Sequence, residues 1–372
     1  MHISRLRLSQ YRNYTAAALD LDSRHVVLTG PNGAGKTNLL EAVSLLSPGR
    51  GLRRAPFDSL IQAGAHAQWA VAVTLETKDG PVDLGTGAGG DGEAGRRVRI
   101  NGANARTVEA LSAYVRLMWL TPDMDGLFRG PASDRRRFLD RLVMTLIPDH
   151  GVAVAGYEKT MRQRNKLLDE GGDGTWLNAI EAQMAEYAGA IYFARADSLG
   201  HLQRLASESV DQEAFPAARL ALTPLFEDHH EPTSSSTLEA SLIARWRDTR
   251  ALDRAAGRTI MGPHRVDLEV VHAQKAMPAN LCSTGEQKAL LIGLVLAHAR
   301  LVAKMTGLTP LLLLDEVAAH LDPDRRAALF SALNSLDTQC WMTGTDPMLF
   351  EALGGGAQHI GVNAGRLVPE GA

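Results

Sequence analysis

Eight consecutive residues constrain this chain more than any others. Gly30-Pro31-Asn32-Gly33-Ala34-Gly35-Lys36-Thr37 fills every fixed position of G-x-x-x-x-G-K-[ST]. Glycines at those places let the backbone curl until successive N–H groups face one anion. A helix that starts there adds its positive dipole end. The lysine can reach the β- and γ-phosphates of a nucleoside triphosphate, and the threonine hydroxyl can ligate Mg²⁺. The flanks agree: His25-Val26-Val27-Leu28-Thr29 reads as a buried strand, and Thr37 to Leu46 as a helix stopped by Pro48. A strand, a loop and a helix of this kind predict an α/β nucleotide-binding fold with ATP and Mg²⁺ as cofactors. Lys36 is then a catalytic residue, and Gly30 to Thr37 are cofactor-binding residues.

A second acidic element lies far along the chain. Leu311-Leu312-Leu313-Leu314 is an apolar strand that ends in Asp315-Glu316. Such an end can hold Asp315 near Mg²⁺, with Thr37 as the other protein ligand, and set Glu316 against the attacking water as general base. Alone, a strand ending in solvated acids would read the same way; the phosphate loop gives the pair its meaning. Upstream stands Cys282-Ser283-Thr284-Gly285-Glu286-Gln287, followed by a long apolar helix. It resembles the L-S-G-G-Q signature of ABC-type ATPases. In that superfamily, Ser283, the Gly285 backbone and the helix N-terminus would form a second anion site, facing the nucleotide of another subunit. A plain capping box, Ser283 with Glu286, is compatible with the same residues. Ala319-His320-Leu321-Asp322 resembles the D-loop of that superfamily, which would put Asp322 at a dimer interface; an N-cap before Pro323 is the other reading.

Periodicity organises the rest. Leu6 and Leu8 alternate with Arg5 and Arg7, a strand pattern, and Leu19 and Leu21 mark a second strand. Residues 69 to 120 are β-rich. From about 122 to 255 apolar residues recur at three and four, as at Phe138, Leu142, Val143 and Leu146. After about 256 the α/β pattern returns. The expected domains are therefore 1–121, the amino-terminal part of the ATPase lobe; 122–255, a helical lobe; and 256–372, the carboxy-terminal part with signature, acidic strand and D-loop. No heptad run is long enough for an extended coiled coil. Gly85, Gly87 and Gly90 also fit G-x-G-x-x-G, but no helix follows, and a hairpin connection is expected.

Composition excludes some classes. With 39 Lys and Arg against 42 Asp and Glu, no global basic field exists, so any DNA contact has to be local. Two cysteines cannot make a disulfide framework and suit a reducing compartment. The first residues lack the apolar core of a signal peptide, and the apolar run Ala289 to Ala297 is about half a membrane span. A cytoplasmic protein with no membrane partner is expected.

Several segments together resemble the RecF family of bacterial recombination mediators. They are Tyr11-Arg12-Asn13-Tyr14, the run from Asn32 to Ala42, Pro122-Asp123 with Arg135-Arg136-Arg137-Phe138-Leu139-Asp140, and Gly262-Pro263-His264-Arg265-Val266-Asp267. The last block is the most discriminating. The resemblance implies an ABC-ATPase-like, Rad50/SMC-head-like P-loop domain with a β-rich subdomain and a mostly helical inserted lobe. It implies an ATP-driven homodimer that clamps DNA at gaps or single-strand/double-strand junctions and, with RecO and RecR, helps load RecA in repair and replication restart. Arg12 would lie beside the nucleotide; a surface arginine in a turn is the alternative. Two groups that help relatives sense the γ-phosphate are absent: Thr121-Pro122-Asp123 stands where a Gln is usual, and Thr343-Gly344-Thr345 where transporter ATPases carry a His. A slow, DNA-stimulated ATPase is therefore expected, and a transporter subunit is disfavoured. A pure scaffold stabilised by its P-loop is the remaining alternative.

Candidate DNA contacts are Arg53-Arg54, Arg96-Arg97-Arg99, Arg135-Arg136-Arg137 and Arg162-Arg164-Lys166, each of which also reads as a solvated face. His229-His230-Glu231 reads as a solvated loop rather than a metal site.

Overall fold

Alternation at the start of the chain becomes a sheet with one buried face. In the computed structural model, which describes residues 1–65, 68–88, 95–208, 214–228 and 232–370, His2–Tyr11 buries Leu6 and Leu8 and exposes Arg5 and Arg7. It pairs antiparallel with Tyr14–Asp20 on one side and Ala70–Thr77 on the other, with a register shift between Ile3 and Arg5. The sheet continues through Gly80–Ala88, Arg96–Ile100 and the two-residue strand Ala103–Asn104. Gly85 and Gly87 lie inside a strand of this sheet; Gly90 lies outside the described residues.

A second six-stranded sheet carries the phosphate loop. Its order is Arg366–Glu370, Ala357–Asn363, His25–Thr29, Cys340–Gly344, Leu311–Leu314, Leu117–Leu120. All neighbours run parallel except the antiparallel edge pair Ala357–Asn363 with Arg366–Glu370. The strands His25–Thr29, Cys340–Gly344, Leu311–Leu314 and Leu117–Leu120 are buried along their lengths, as continuous apolar runs in parallel sheets require. The strand order brings three strand ends together. Thr29 pairs with Gly344, and Leu314 with Met342. The segments that leave these three strands therefore meet at one carboxyl edge, where open α/β sheets place their ligands.

The helix Thr284–Thr306 belongs to the same unit. At 23 residues it is long and apolar enough to cross a membrane, which the nine-residue run Ala289 to Ala297 alone is not. It serves here as a core helix. Of its most apolar window 67% is buried, and the buried Lys288 pairs with Asp125 at 3.1 Å.

These two sheets and that helix form one compact unit: Met1–Asp125, Asp211–Pro216 and Thr284–Ala372. The other unit is Gly126–Val210 with Ala217–Ser283. It contains the helices Ala132–Leu146, His150–Asp169, Gly174–Glu208, Ser235–Asp248 and Arg250–Ala256. Tyr157, Met184, Ala188, Ile191, Phe226, Leu238, Leu242 and Trp246 form its core. The helical unit runs on to Ser283, past residue 255, because Leu268–His272 pairs with Ala218–Leu222 and with Met277–Pro278 inside it. Strand pairing over such a distance leaves no local trace in sequence. His229 to Glu231 lie outside the described residues, and among those described no group of three or more His, Cys, Asp or Glu could hold a metal.

Candidate nucleotide-binding site

The loop from Gly30 to Gly35 has the backbone its glycines permit. Gly30, Gly33 and Gly35 all have positive φ, at 145°, 79° and 117°. At two of them space is also decisive. A Cβ on Gly30 would stand 2.1 Å from the Val362 carbonyl oxygen, and one on Gly35 would stand 2.5 Å from Asn13 Nδ2. The helix Lys36–Ser44 starts directly after Gly35 and has no side-chain cap. Its first N–H groups are therefore left to a ligand.

The segment Tyr11 to Tyr14 is the brace of this loop. Asn13 Nδ2 donates to the Ala34 carbonyl at 3.0 Å, and the Tyr14 hydroxyl donates to the Gly35 carbonyl at 3.0 Å. Asn38 Nδ2 donates to Asn13 Oδ1 at 2.7 Å. Arg12 is tied to the phosphate-loop helix. Its Nε and Nη2 form a fork on the fully buried carboxylate of Glu41, at 2.8 and 2.7 Å, and its Nη1 reaches the Ser59 carbonyl. Glu41 thus ties Arg12 to the phosphate-loop helix, and Arg53 stands at 3.5 Å from the same carboxylate. Sequence reasoning missed Glu41. A carboxylate in the middle of a buried helix face was the available signal.

Lys36 is buried, and its ammonium donates to the carbonyls of Gly30 at 2.7 Å and Pro31 at 3.0 Å. Burial lowers its pKa, while the charges of Glu316 and Asp315 act to raise it. The acidic strand delivers Asp315 to the same place. Asp315 Oδ1 accepts from the Thr37 hydroxyl at 3.0 Å and from the Thr343 hydroxyl at 2.7 Å. The Thr343 hydroxyl in turn accepts from the Glu316 N–H at 2.9 Å. Glu316 holds a left-handed backbone, φ 52°, a rare conformation for a side chain other than Gly, Asn or Asp. Thr343 therefore ties both acidic residues together. A threonine at the end of the middle strand of three was a signal only once the strand order was known.

One hydroxyl and one carboxylate oxygen, Thr37 Oγ1 and Asp315 Oδ1, converge within hydrogen-bond distance. That donor set fits Mg²⁺, which takes one or two protein oxygens and completes its shell with substrate phosphates and waters. Gly285 and Asp322 make a separate group. Asp322 caps the helix Pro323–Asn334, accepting from the Arg325 N–H at 2.8 Å, and Arg325 Nη1 lies 3.5 Å from the Gly285 carbonyl. Among the described residues no hydrogen bond ties either to the phosphate loop. Ser283 closes the helical unit, and Thr284 opens the helix Thr284–Thr306.

Within the helical unit the Gly262 to Asp267 block is a bracing device. His264 Nε2 faces the Thr259 carbonyl at 3.0 Å, so that nitrogen carries the proton, and Nδ1 accepts from the Tyr157 hydroxyl at 2.8 Å. Burial, with Arg265 and Arg136 nearby, drives its pKa down to about 4 against the pull of the Thr259 carbonyl. Asp267 receives Arg135 as a fork, down to 2.6 Å, and the Pro263 carbonyl receives Arg195 at 2.7 Å. Several of the candidate DNA-contact residues have partners within the protein. Arg164 is fully buried against Glu181 at 2.9 Å and Asp253 at 2.7 Å. Arg162 and Lys166 lean on Glu158 and Glu170, Arg137 bonds Asp134, and Arg96 is turned inward.

Comparison with known proteins bears on the family and the fold. The chain matches the family described as RecF/RecN/SMC N terminal domain over residues 2–363. A protein of Rhizobium leguminosarum bv. trifolii named DNA replication and repair protein RecF is 54% identical over 367 residues, 98% of each chain. One of the same name from Mesorhizobium japonicum is 53% identical over 370 residues, 99% of this chain and 98% of its own. Among solved structures, the recombination mediator protein RecF-ATP in the RecFOR pathway shares the fold at a TM-score of 0.85 and 21% identity, covering 100% of this chain and 98% of that one. An SMC head bound to the C-winged helix domain of ScpA shares it at 0.57 and 17%, covering 99% and 98%.

Proposed function

The chain belongs to the RecF family of DNA replication and repair proteins, and from that premise we propose that it is an ATP-switched DNA clamp of recombinational repair and replication restart. ATP with Mg²⁺ binds the loop Gly30 to Thr37. Lys36 meets the β- and γ-phosphates, Thr37 and Asp315 hold the metal, and Glu316 orients or deprotonates the attacking water. Mg²⁺ supplies charge neutralisation at the phosphates when bound. The observation that carries this reading is the convergence of the Thr37, Thr343 and Asp315 oxygens beside a buried Lys36.

The second half of the site is Ser283, Gly285 and Asp322 of another copy, so that two ATP molecules close a homodimer. The closed dimer holds gapped or junction duplex and single-stranded DNA, works with RecR and RecO in the cytoplasm, and so serves RecA. Hydrolysis is slow, is stimulated by DNA, and reopens the dimer. The absence of a transporter-type His at Thr343-Gly344-Thr345 favours this over a transporter subunit. Glu316→Gln with ATP and gapped DNA tests the reading. A stable ATP-dependent dimer that retains the DNA at low salt is expected. A protein that ignores both ATP and DNA would falsify it.

A further inference from the structure

We propose that the open edge of the amino-terminal sheet carries a phosphate pocket that holds a nucleic-acid backbone. The inference rests on the DNA reading above and gives it a place. Strand Arg96–Ile100 pairs with Gly80–Ala88 on one side along its whole length. On the other side Ala103–Asn104 pairs with Arg99 and Ile100, and the Ala105 N–H donates to the Val98 carbonyl at 2.9 Å, which leaves Arg96 and Arg97 at the open end. Beside the uncovered part, residues 104–108 and Arg96 to Val98 line a pocket of about 260 Å³.

The lining has one sign of charge. Arg96, Arg97 and Arg106 contribute three guanidinium groups, and no carboxylate lines the pocket among the described residues. Arg106 is exposed and makes no ion pair or side-chain hydrogen bond among the described residues. Arg97 is exposed as well, and it is not without a partner of its own. Arg96 lies inward, and its donors go to neutral oxygens: the Thr86 hydroxyl and the carbonyls of Leu45, Ser47 and Gly49. Its charge is therefore not cancelled by a bonded carboxylate. Burial lowers its pKa to about 10 against the pull of the nearby Glu109 carboxylate, which follows the lining residue Val108, and leaves it cationic at neutral pH. Asn104 Oδ1 accepts from Arg99 at 3.2 Å, so its Nδ2 amide is the group it can offer an anion. Thr107 adds a hydroxyl.

Guanidinium forks and amide donors around a hollow with no carboxylate in its described lining suit a phosphate. The volume falls below the ~300–1,000 Å³ of pockets that enclose whole small ligands. It fits a phosphate with part of its sugar better than an entire nucleotide. Exposed Arg97, Arg99 and Arg106 carry the positive charge past the pocket along the sheet edge. A polymer with repeated phosphates uses such a run, whereas a free anion uses only the hollow.

The test is a salt series of DNA affinity on labelled gapped duplex, by fluorescence anisotropy, for the full chain and for Arg97→Glu/Arg106→Glu. Each lost phosphate contact removes about 0.9 from the slope of log K against log salt, so the double variant is expected to flatten it by about two. Arg97→Gln/Arg106→Gln should flatten it by a similar amount. Basal ATP hydrolysis, which uses neither arginine, stays unchanged and reports a sound fold. An unchanged slope in a DNA-binding wild type overturns the pocket alone. A wild type that binds no DNA at low salt overturns the clamp reading and the pocket with it. Titration with inorganic phosphate separates the two sources. One phosphate site lost in the double variant, with the DNA slope unaltered, would assign a free anion and overturn the nucleic-acid occupant.

Discussion

Thr343 joins the two acidic residues at the end of the apolar strand. Its hydroxyl donates to Asp315 and accepts from the Glu316 N–H. Thr343→Val keeps the shape and removes both bonds. A hydrogen bond of this kind contributes ~1 kcal/mol, and each 1.4 kcal/mol is tenfold in rate. Steady-state hydrolysis by Thr343→Val should fall about five- to tenfold in kcat with KM for ATP little changed, and Thr343→Ser should restore most of it. A rise in KM alone would place Thr343 in binding rather than positioning. Gly30→Ala belongs to the same scale. The added Cβ meets the Val362 carbonyl in a backbone with φ 145°. Strain of that type costs about 1–3 kcal/mol. Thermal denaturation should show a lowered Tm, and titration with ATP should show binding lost.

Among the elements, the helix Lys36–Ser44 is held at both ends by parts of the amino-terminal sheet. Asn13 and Tyr14 bind the loop before it. Arg96 binds the carbonyls of Leu45, Ser47 and Gly49 after it. Carbonyls at a helix end have no partner of their own. Arg96→Met keeps the apolar stem and removes those bonds, at about 1.5–3 kcal/mol for charge-assisted ones. Urea unfolding should show that loss as a lower midpoint at an unchanged m-value. Legibility in the chain divides along the same line. The phosphate loop, the apolar strand before Asp315 and the alternation at Leu6 and Leu8 depend on near neighbours, so periodicity and motif suffice. Thr343, Glu41 and Arg96 matter only through partners tens of residues away, which tertiary folding brings near. Arg164 is an instructive error. Proximity in sequence groups it with Arg162 and Lys166, yet two residues along a helix is about 200° around it, so Arg164 shares no face with either. It lies fully buried beside Glu181 and Asp253.

For the whole molecule, acid is expected to weaken the fold through histidines held neutral. His264 has a folded pKa of about 4, below the ~6.5 of a free imidazole. Between those values the unfolded chain takes up a proton that the folded chain refuses. The stabilisation is therefore complete above about pH 6.5 and drains away as the pH falls toward 4. Buried His25, lowered chiefly by burial, acts in the same direction. A pH series of chemical denaturation should show the decline, and His264→Asn should make it shallower; a parallel decline in the variant would remove His264 from the account. The same scale holds the central claim, that ATP binding is the closing of a dimer rather than an event within one chain. Sedimentation velocity of Glu316→Gln, with and without Mg²⁺-ATP, tests this most directly. A monomer that becomes a dimer at saturating ATP is expected, with a return to monomer when Ser283→Arg is added. A species that stays monomeric with ATP bound, or a dimer that persists through Ser283→Arg, would contradict it.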